Sequence, residues 1–196
     1  SDIVKLLLAL FLVLLNGFFV AAEFSIVKVR YSQIQLKAAE GNAMAKQTEF
    51  IIKRLDEYLS ATQLGITLAS LALGWVGESA MHHIIGNIFI YFNIALDPAT
   101  ITTISLILSF LLITIMHIVL GELIPKSIAI RKSEATAMAI AVPLRVFYTV
   151  FKPFIWSMNQ MSNAFLRLMK IHPASEHEIH STEELQLLVK QSADSG

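Results

Sequence analysis

Three long apolar runs, each marked by a few polar positions at helical spacing, set the pattern of this chain. The first, residues 6 to 27, is apolar except for Asn16 and Glu23, which lie seven positions apart and so share one helical face. Gly17, Ala21 and Ser25 repeat at i, i+4 and i+8, a small-residue stripe that lets another helix come close. Residues 28 to 57 turn polar, with Lys28, Arg30, Lys37, Lys46, Lys53 and Arg54 among Glu40, Glu49, Asp56 and Glu57. They read as water-exposed or interfacial helix, broken in two at Gly41-Asn42. A second apolar stretch, Tyr58 to Val76, places Thr67, Ser70, Gly74 and Gly77 on one face by their spacing of three and four. Gly77-Glu78-Ser79 punctuates it and a shorter helix, Met81 to Ile94, follows, so this span is expected to be broken. The third run, Ala99 to Gly121, has His117 as its sole titratable side chain and ends in Gly121-Glu122-Leu123-Ile124-Pro125-Lys126. Each run approaches or exceeds the roughly 20 helical residues that cross a bilayer core.

Residues 134 to 170 fit two readings. They are apolar, yet Arg145, Lys152, Arg167 and Lys170 recur through them and Pro143 and Pro153 interrupt them. A basic amphipathic helix with Phe147, Tyr148, Phe151, Phe154 and Trp156, lying in the headgroup plane as a cytoplasmic-side belt, suits these residues better than a fourth span. From His172 onward the chain turns polar, and Ser181-Thr182-Glu183-Glu184 has capping-box spacing before a short helix, Leu185 to Gln191. The expected division is a membrane domain with its belt over residues 1–172, then the start of a larger cytosolic region over 173–196.

Composition fixes the class. Hydrophobic residues make up 55% of the chain and charged residues 15%, against about 25% charged in a soluble domain. The expectation is an all-α membrane protein with three transmembrane helices plus juxtamembrane amphipathic helices. Zero net charge gives no basic surface for nucleic acid, and the absence of cysteine excludes disulfides and thiolate chemistry. The first run is longer than a signal-peptide core and lacks a small-residue cleavage pattern, so it reads as a retained span. Basic residues follow the first and third spans, while the Asp97-Pro98 connection has none. The positive-inside rule then puts the N-terminus outside the cell membrane and the C-terminal side in the cytoplasm.

The candidate chemistry lies at the end of the third run. A helical proline lacks the N–H that would bond the carbonyl four residues back, so Pro125 leaves the Gly121 oxygen unclaimed beside the Glu122 carboxylate. A carboxylate within an apolar span is costly, by about 2.5–3.5 kcal/mol on insertion scales, and marks a functional position by default. Hard oxygen ligands of this kind suit Mg²⁺ or Ca²⁺. Further oxygen donors are Asn16, Glu23 and Ser25 in the first span and Thr67 and Ser70 in the second. Glu23 has a plainer reading, snorkelling or pairing with Lys28 or Arg30. No nucleophile motif, phosphate-binding glycine loop or paired catalytic groups are visible, which disfavours an enzyme.

Three motifs, in this order and separation, resemble the CorC/cyclin M (CNNM) family of magnesium transporters. They are Asn16-Gly-Phe-Phe-Val-Ala-Ala-Glu-Phe-Ser25, Ala61-Thr-Gln-Leu-Gly-Ile-Thr-Leu-Ala-Ser70 and Gly121-Glu-Leu-Ile-Pro-Lys-Ser127. The resemblance implies a homodimer of three-span protomers, each with a belt, exporting Mg²⁺ in exchange for Na⁺. It also implies a cytosolic region with paired CBS modules that this chain lacks. The ion site it implies draws on Ser25, Ser70, Glu122 and the Gly121 carbonyl. Val20 and Ile66 stand where several relatives carry serine or asparagine, which leaves the first-span ligand open between Ser25 and Asn16. The competing functional reading is a membrane anchor or sensor for a cytosolic regulatory domain, with Glu122 as an interhelical polar lock.

Overall fold

A computed structural model of the chain describes residues 2–92 and 97–171. Every regular element among them is helical: α1 Asp2–Lys28, α2 Tyr31–Ala39, α3 Ala43–Ile52, α4 Leu55–Tyr91, α5 Pro98–Met116, a π-helical turn His117–Leu123, α6 Ile124–Arg131 and α7 Ser133–Leu168. The chain divides into two compact units after Ile155, and the features below lie in the first. The second unit continues the α7 helix to Leu168. The short cytosolic helix expected at Leu185 to Gln191 lies outside the described residues, as do residues 93–96 of the second connection.

Side-chain chemistry explains several boundaries. Gly41 takes a φ of +95°, a conformation that suits a residue without Cβ, and ends α2. Asn42 then caps α3, its side chain accepting from the Ala45 N–H at 3.1 Å. Asp97 caps α5 in the same way, accepting from the Thr100 N–H at 3.0 Å, with Pro98 at the first helical position.

Contacts between helices give their directions. Going down α1, Val13 packs with Leu73, Asn16 meets Ser70, Phe19 meets Gly65 and Glu23 meets Gln63, so α1 and α4 are antiparallel. Ser70 meets His117 and Gly77 meets Ile113, so the α5 run is antiparallel to α4. Asn16 meets Gly121, Gly17 meets Pro125 and Phe24 meets Lys126, so the same run is parallel to α1. The result is an up-down-up bundle whose core is Ala9, Leu12, Val13, Leu73 and Ile113. A second core of Val29, Ile34, Ala38, Ala45 and Ala137 joins the end of α1 to α2, α3 and α7.

Two expectations need correction. The second span is not broken: α4 is one helix of 37 residues through Gly77-Glu78-Ser79. Glycine costs about 1 kcal/mol in a helix but keeps its N–H, so the hydrogen-bond ladder continues where only proline would interrupt it. Among the described residues four runs, rather than three, have the length and apolarity to cross, because Ser133–Leu168 qualifies as well. Pro143 and Pro153 sit inside α7 and do not end it; each removes one N–H and the flanking turns hold the helix together. The opening part of α7 lies along the polar segment. Lys37 pairs with Glu134, the Thr48 hydroxyl reaches the Ala137 carbonyl at 3.4 Å, Arg145 bonds Gln47 and sits 4.1 Å over the Phe50 ring, and Tyr148 donates to Glu57.

Candidate intramembrane cation site

The site grows out of one missing N–H. Without a backbone donor on Pro125, the buried Gly121 carbonyl takes a side-chain partner instead: Asn16 Nδ2 donates to it at 3.0 Å. Asn16 is completely buried, and its Oδ1 accepts from the Ser70 hydroxyl at 3.1 Å. Ser70 Oγ lies 3.3 Å from His117 Nε2. A hydroxyl has one proton, so a Ser70 that donates to Asn16 receives from His117, which assigns the proton to Nε2. The hydrogen-bond chain runs from His117 through Ser70 and Asn16 and ends on the accepting Gly121 carbonyl, across all three bundle helices. In a low-dielectric setting such a network is stable only when each member is satisfied.

The π-helical turn explains how His117 and Glu122 come to face each other. At about 100° per residue, positions five apart in an α-helix diverge by about 140°. A turn closed by i to i+5 bonds brings them back to nearly the same side. His117 Nε2 lies 3.9 Å from Glu122 Oε1. The Glu122 side chain is 48% exposed within the protomer and His117 21%, so the carboxylate sits at the rim of the network rather than in its centre.

Glycines allow the close approach. A Cβ on Gly121 would stand 2.9 Å from His117 Cδ2 and 3.2 Å from Asn16 Nδ2, displacing the groups that form the network. One on Gly17 would stand 2.9 Å from Pro125 Cγ. Beside the network, between α4 and α5, is a cavity of about 320 Å³ lined by Ser70, Leu73, Gly74, Phe110, Ile113, Thr114 and His117.

Of the candidate ligands, Asn16, Ser70 and the Gly121 carbonyl therefore come together, with Glu122 at their edge. Ser25 is elsewhere: it is buried and its hydroxyl donates to Ala22 O of its own helix at 3.1 Å, nine residues and about 13 Å beyond Asn16. Glu23 accepts from Gln63 at 3.2 Å, and Thr67 is exposed. Among the described residues no three His, Asp or Glu side chains gather as a metal cluster. The donors on hand are mostly amide, hydroxyl and carbonyl oxygens, which favour a hard cation. His117 is the participant that sequence reasoning missed. Its signal was available, as the sole titratable group of the third run, but its relation to Glu122 depends on the π turn.

Several long apolar helices, three of them packed around a buried polar network, define a multi-pass membrane protein that is helical throughout its described residues. The chain belongs to the cyclin M family: residues 7–196 match its transmembrane N-terminal domain (CNNM). It is 42% identical over 197 residues to UPF0053 protein YhdP of Bacillus subtilis, covering all of this chain and 44% of that protein. UPF0053 protein YhdT of the same organism is 43% identical, with all of this chain and 42% of that protein covered. The polyamine export protein of Haemophilus influenzae is 26% identical, over 94% of this chain and 42% of that protein. The chain thus spans less than half the length of these relatives.

Proposed function

We propose that this domain carries Mg²⁺ across the cell membrane as an exporter, through the network of Asn16, Ser70, Gly121 and Glu122, with Na⁺ as the exchanged ion. The observation that carries the reading is the Gly121 carbonyl, freed by Pro125 and bridged by Asn16 at 3.0 Å next to a carboxylate. A cation entering there exchanges the internal hydrogen bonds for coordination to Asn16 Oδ1, Ser70 Oγ, Gly121 O and Glu122, with retained water completing the octahedron. The half-exposed Glu122 and the exposed apolar face of α5, including Phe110 at 69%, suit a homodimer in which a second copy covers this side. In this reading α7, although long and apolar enough to cross, lies as a belt beside three spans. Glu134, Ala137, Arg145 and Tyr148 of α7 all meet the polar segment 37–57, which keeps that stretch at headgroup depth. The parallel course of α1 and α6 brings Lys28 and Arg131 to the same side, the cytoplasmic one by the positive-inside rule.

A second reading has an organic polyamine as cargo, following the name of the Haemophilus relative. The cavity favours it, since Leu73, Phe110 and Ile113 form an apolar trough ending at Ser70 and His117, suited to a methylene chain with a terminal ammonium.

The test is flux from proteoliposomes holding the full-length protein, with Mg²⁺ or a polyamine inside, for wild type and Glu122→Ala. Thermal unfolding with and without Mg²⁺ runs alongside. Mg²⁺ flux and Mg²⁺ protection that both vanish in a folded Glu122→Ala support the proposal. Polyamine flux alone favours the second reading. Absence of flux with either cargo leaves the anchor.

A further inference from the structure

We propose that the junction of α6 and α7 binds the phosphate headgroup of an anionic phospholipid, through Arg131 and Lys132. A cavity of about 420 Å³ lies there, lined by Ile124, Ser127, Ile128, Arg131 and Lys132. Four of these five occur at i, i+3, i+4 and i+7 and so form one face of α6. Along that face two isoleucines, 45% and 50% exposed, flank the Ser127 hydroxyl and Arg131 ends it, with Lys132 next in the chain where the apolar run Pro98–Arg131 stops. Whatever the orientation of the protein, the end of such a run lies at the level of the lipid phosphates.

The charges there are uncommitted. Several cations of this unit are engaged, Lys37 with Glu134, Lys53 with Glu49, Arg145 with Gln47, and Lys126 over the Phe24 ring at 4.6 Å. Lys28, Arg30 and Lys46 are as free as Arg131 and Lys132, and what sets the latter two apart is that they line one cavity together. Among the described residues the side chains of Arg131 and Lys132 have no ion pair, hydrogen bond or ring partner. Lys132 also leaves helical geometry, with φ −127° and ψ 48°, and the next residue opens α7. The positive end of the α7 dipole is thus added to the two side-chain charges. Glu134 would oppose an anion, but Lys37 already neutralises it. A free phosphate would find the same cations yet no use for Ile124 and Ile128; an acyl chain covers them, which is why the lipid is the occupant.

Each cation near an anionic headgroup is worth about 1 kcal/mol, or about fivefold in affinity, so losing both weakens binding by about 30-fold. The full-length protein, delipidated in detergent, is titrated with phosphatidylglycerol, phosphatidylcholine or inorganic phosphate, and bound lipid is counted by native mass spectrometry. The variants are Arg131→Gln, Lys132→Gln, the double variant, Arg131→Lys, and Lys46→Gln as a remote exposed control. Expected is saturable phosphatidylglycerol binding in wild type, Arg131→Lys and Lys46→Gln, weakened about fivefold in each neutralised single variant and about 30-fold in the double. Phosphatidylcholine should not reproduce it and phosphate should not compete. Unchanged phosphatidylglycerol binding in the neutralised variants overturns the proposal, as does phosphate competing at comparable concentration. The single variants and Arg131→Lys decide the matter if the double variant does not fold. The readout is independent of ion transport, so it stands or fails apart from the proposed cargo.

Discussion

Replacing Asn16 by alanine should show what holds the three helices in register. Asn16 is fully buried and makes two hydrogen bonds, to Gly121 O at 3.0 Å and from Ser70 at 3.1 Å. The two losses are unequal. Ser70 can turn its hydroxyl to His117 Nε2 at 3.3 Å once the imidazole proton moves to Nδ1, whereas the buried Gly121 carbonyl cannot turn to residue 125, which is proline. An orphaned buried acceptor costs about 1–3 kcal/mol in soluble proteins. Interhelical bonds in membranes average about 0.6 and reach about 1.7 kcal/mol. A net loss of about 1–2 kcal/mol follows, or about 2–8 °C in unfolding midpoint for a chain of this size. The assay is thermal unfolding of the full-length protein in detergent, followed by tryptophan fluorescence at matched scan rate. Ser70→Ala combined with Asn16→Ala should be non-additive by about 0.6 kcal/mol, because the two share a bond. Ser25→Ala combined with Asn16→Ala should be additive, since the Ser25 hydroxyl bonds within its own helix. A midpoint unchanged in Asn16→Ala, or coupling to Ser25 and not to Ser70, would refute the reasoning.

Further outcomes follow from the same geometry. Gly65→Ala puts a Cβ 2.4–2.5 Å from ring atoms of buried Phe19, itself packed on Phe147 at 4.7 Å, and should lower the unfolding midpoint by the equivalent of about 1–3 kcal/mol. Gly74→Ala meets nothing within 4 Å and should leave the midpoint unchanged or raise it, by up to about 1 kcal/mol of helix propensity. Asp97 is held below its ordinary carboxylate range by hydrogen bonds from Thr100. A depressed folded value means the cap stabilises above the ordinary value near 3.8 and is lost as pH falls through the depressed one. Wild type and Asp97→Ala should therefore differ in unfolding midpoint at neutral pH and converge in acid. A cysteine introduced at exposed Met169, just past the end of α7, should react with an impermeant maleimide from the same side of the membrane as one at Lys46; labelling from the opposite side would make α7 a crossing helix.

Much of this molecule was legible along the chain. The helical membrane class, the first and third spans, the break at Gly41-Asn42 and the unclaimed Gly121 carbonyl all follow from hydrophobic period and local backbone chemistry, which a sequence states directly. Which group fills that carbonyl does not. Asn16 and Ser25 are equally polar on the page, and helix register alone, set where Gly17 receives Pro125 and Gly65 receives Phe19, brings the first to Gly121 and leaves the second bonded to its own turn. The same holds for His117, which faces Glu122 only because the turn between them is wound as a π-helix. The continuity of α4 and the seating of α7 on α2 and α3 were likewise decided by packing between segments distant in sequence, because such contacts depend on the rotation and depth of whole helices and no local pattern encodes those.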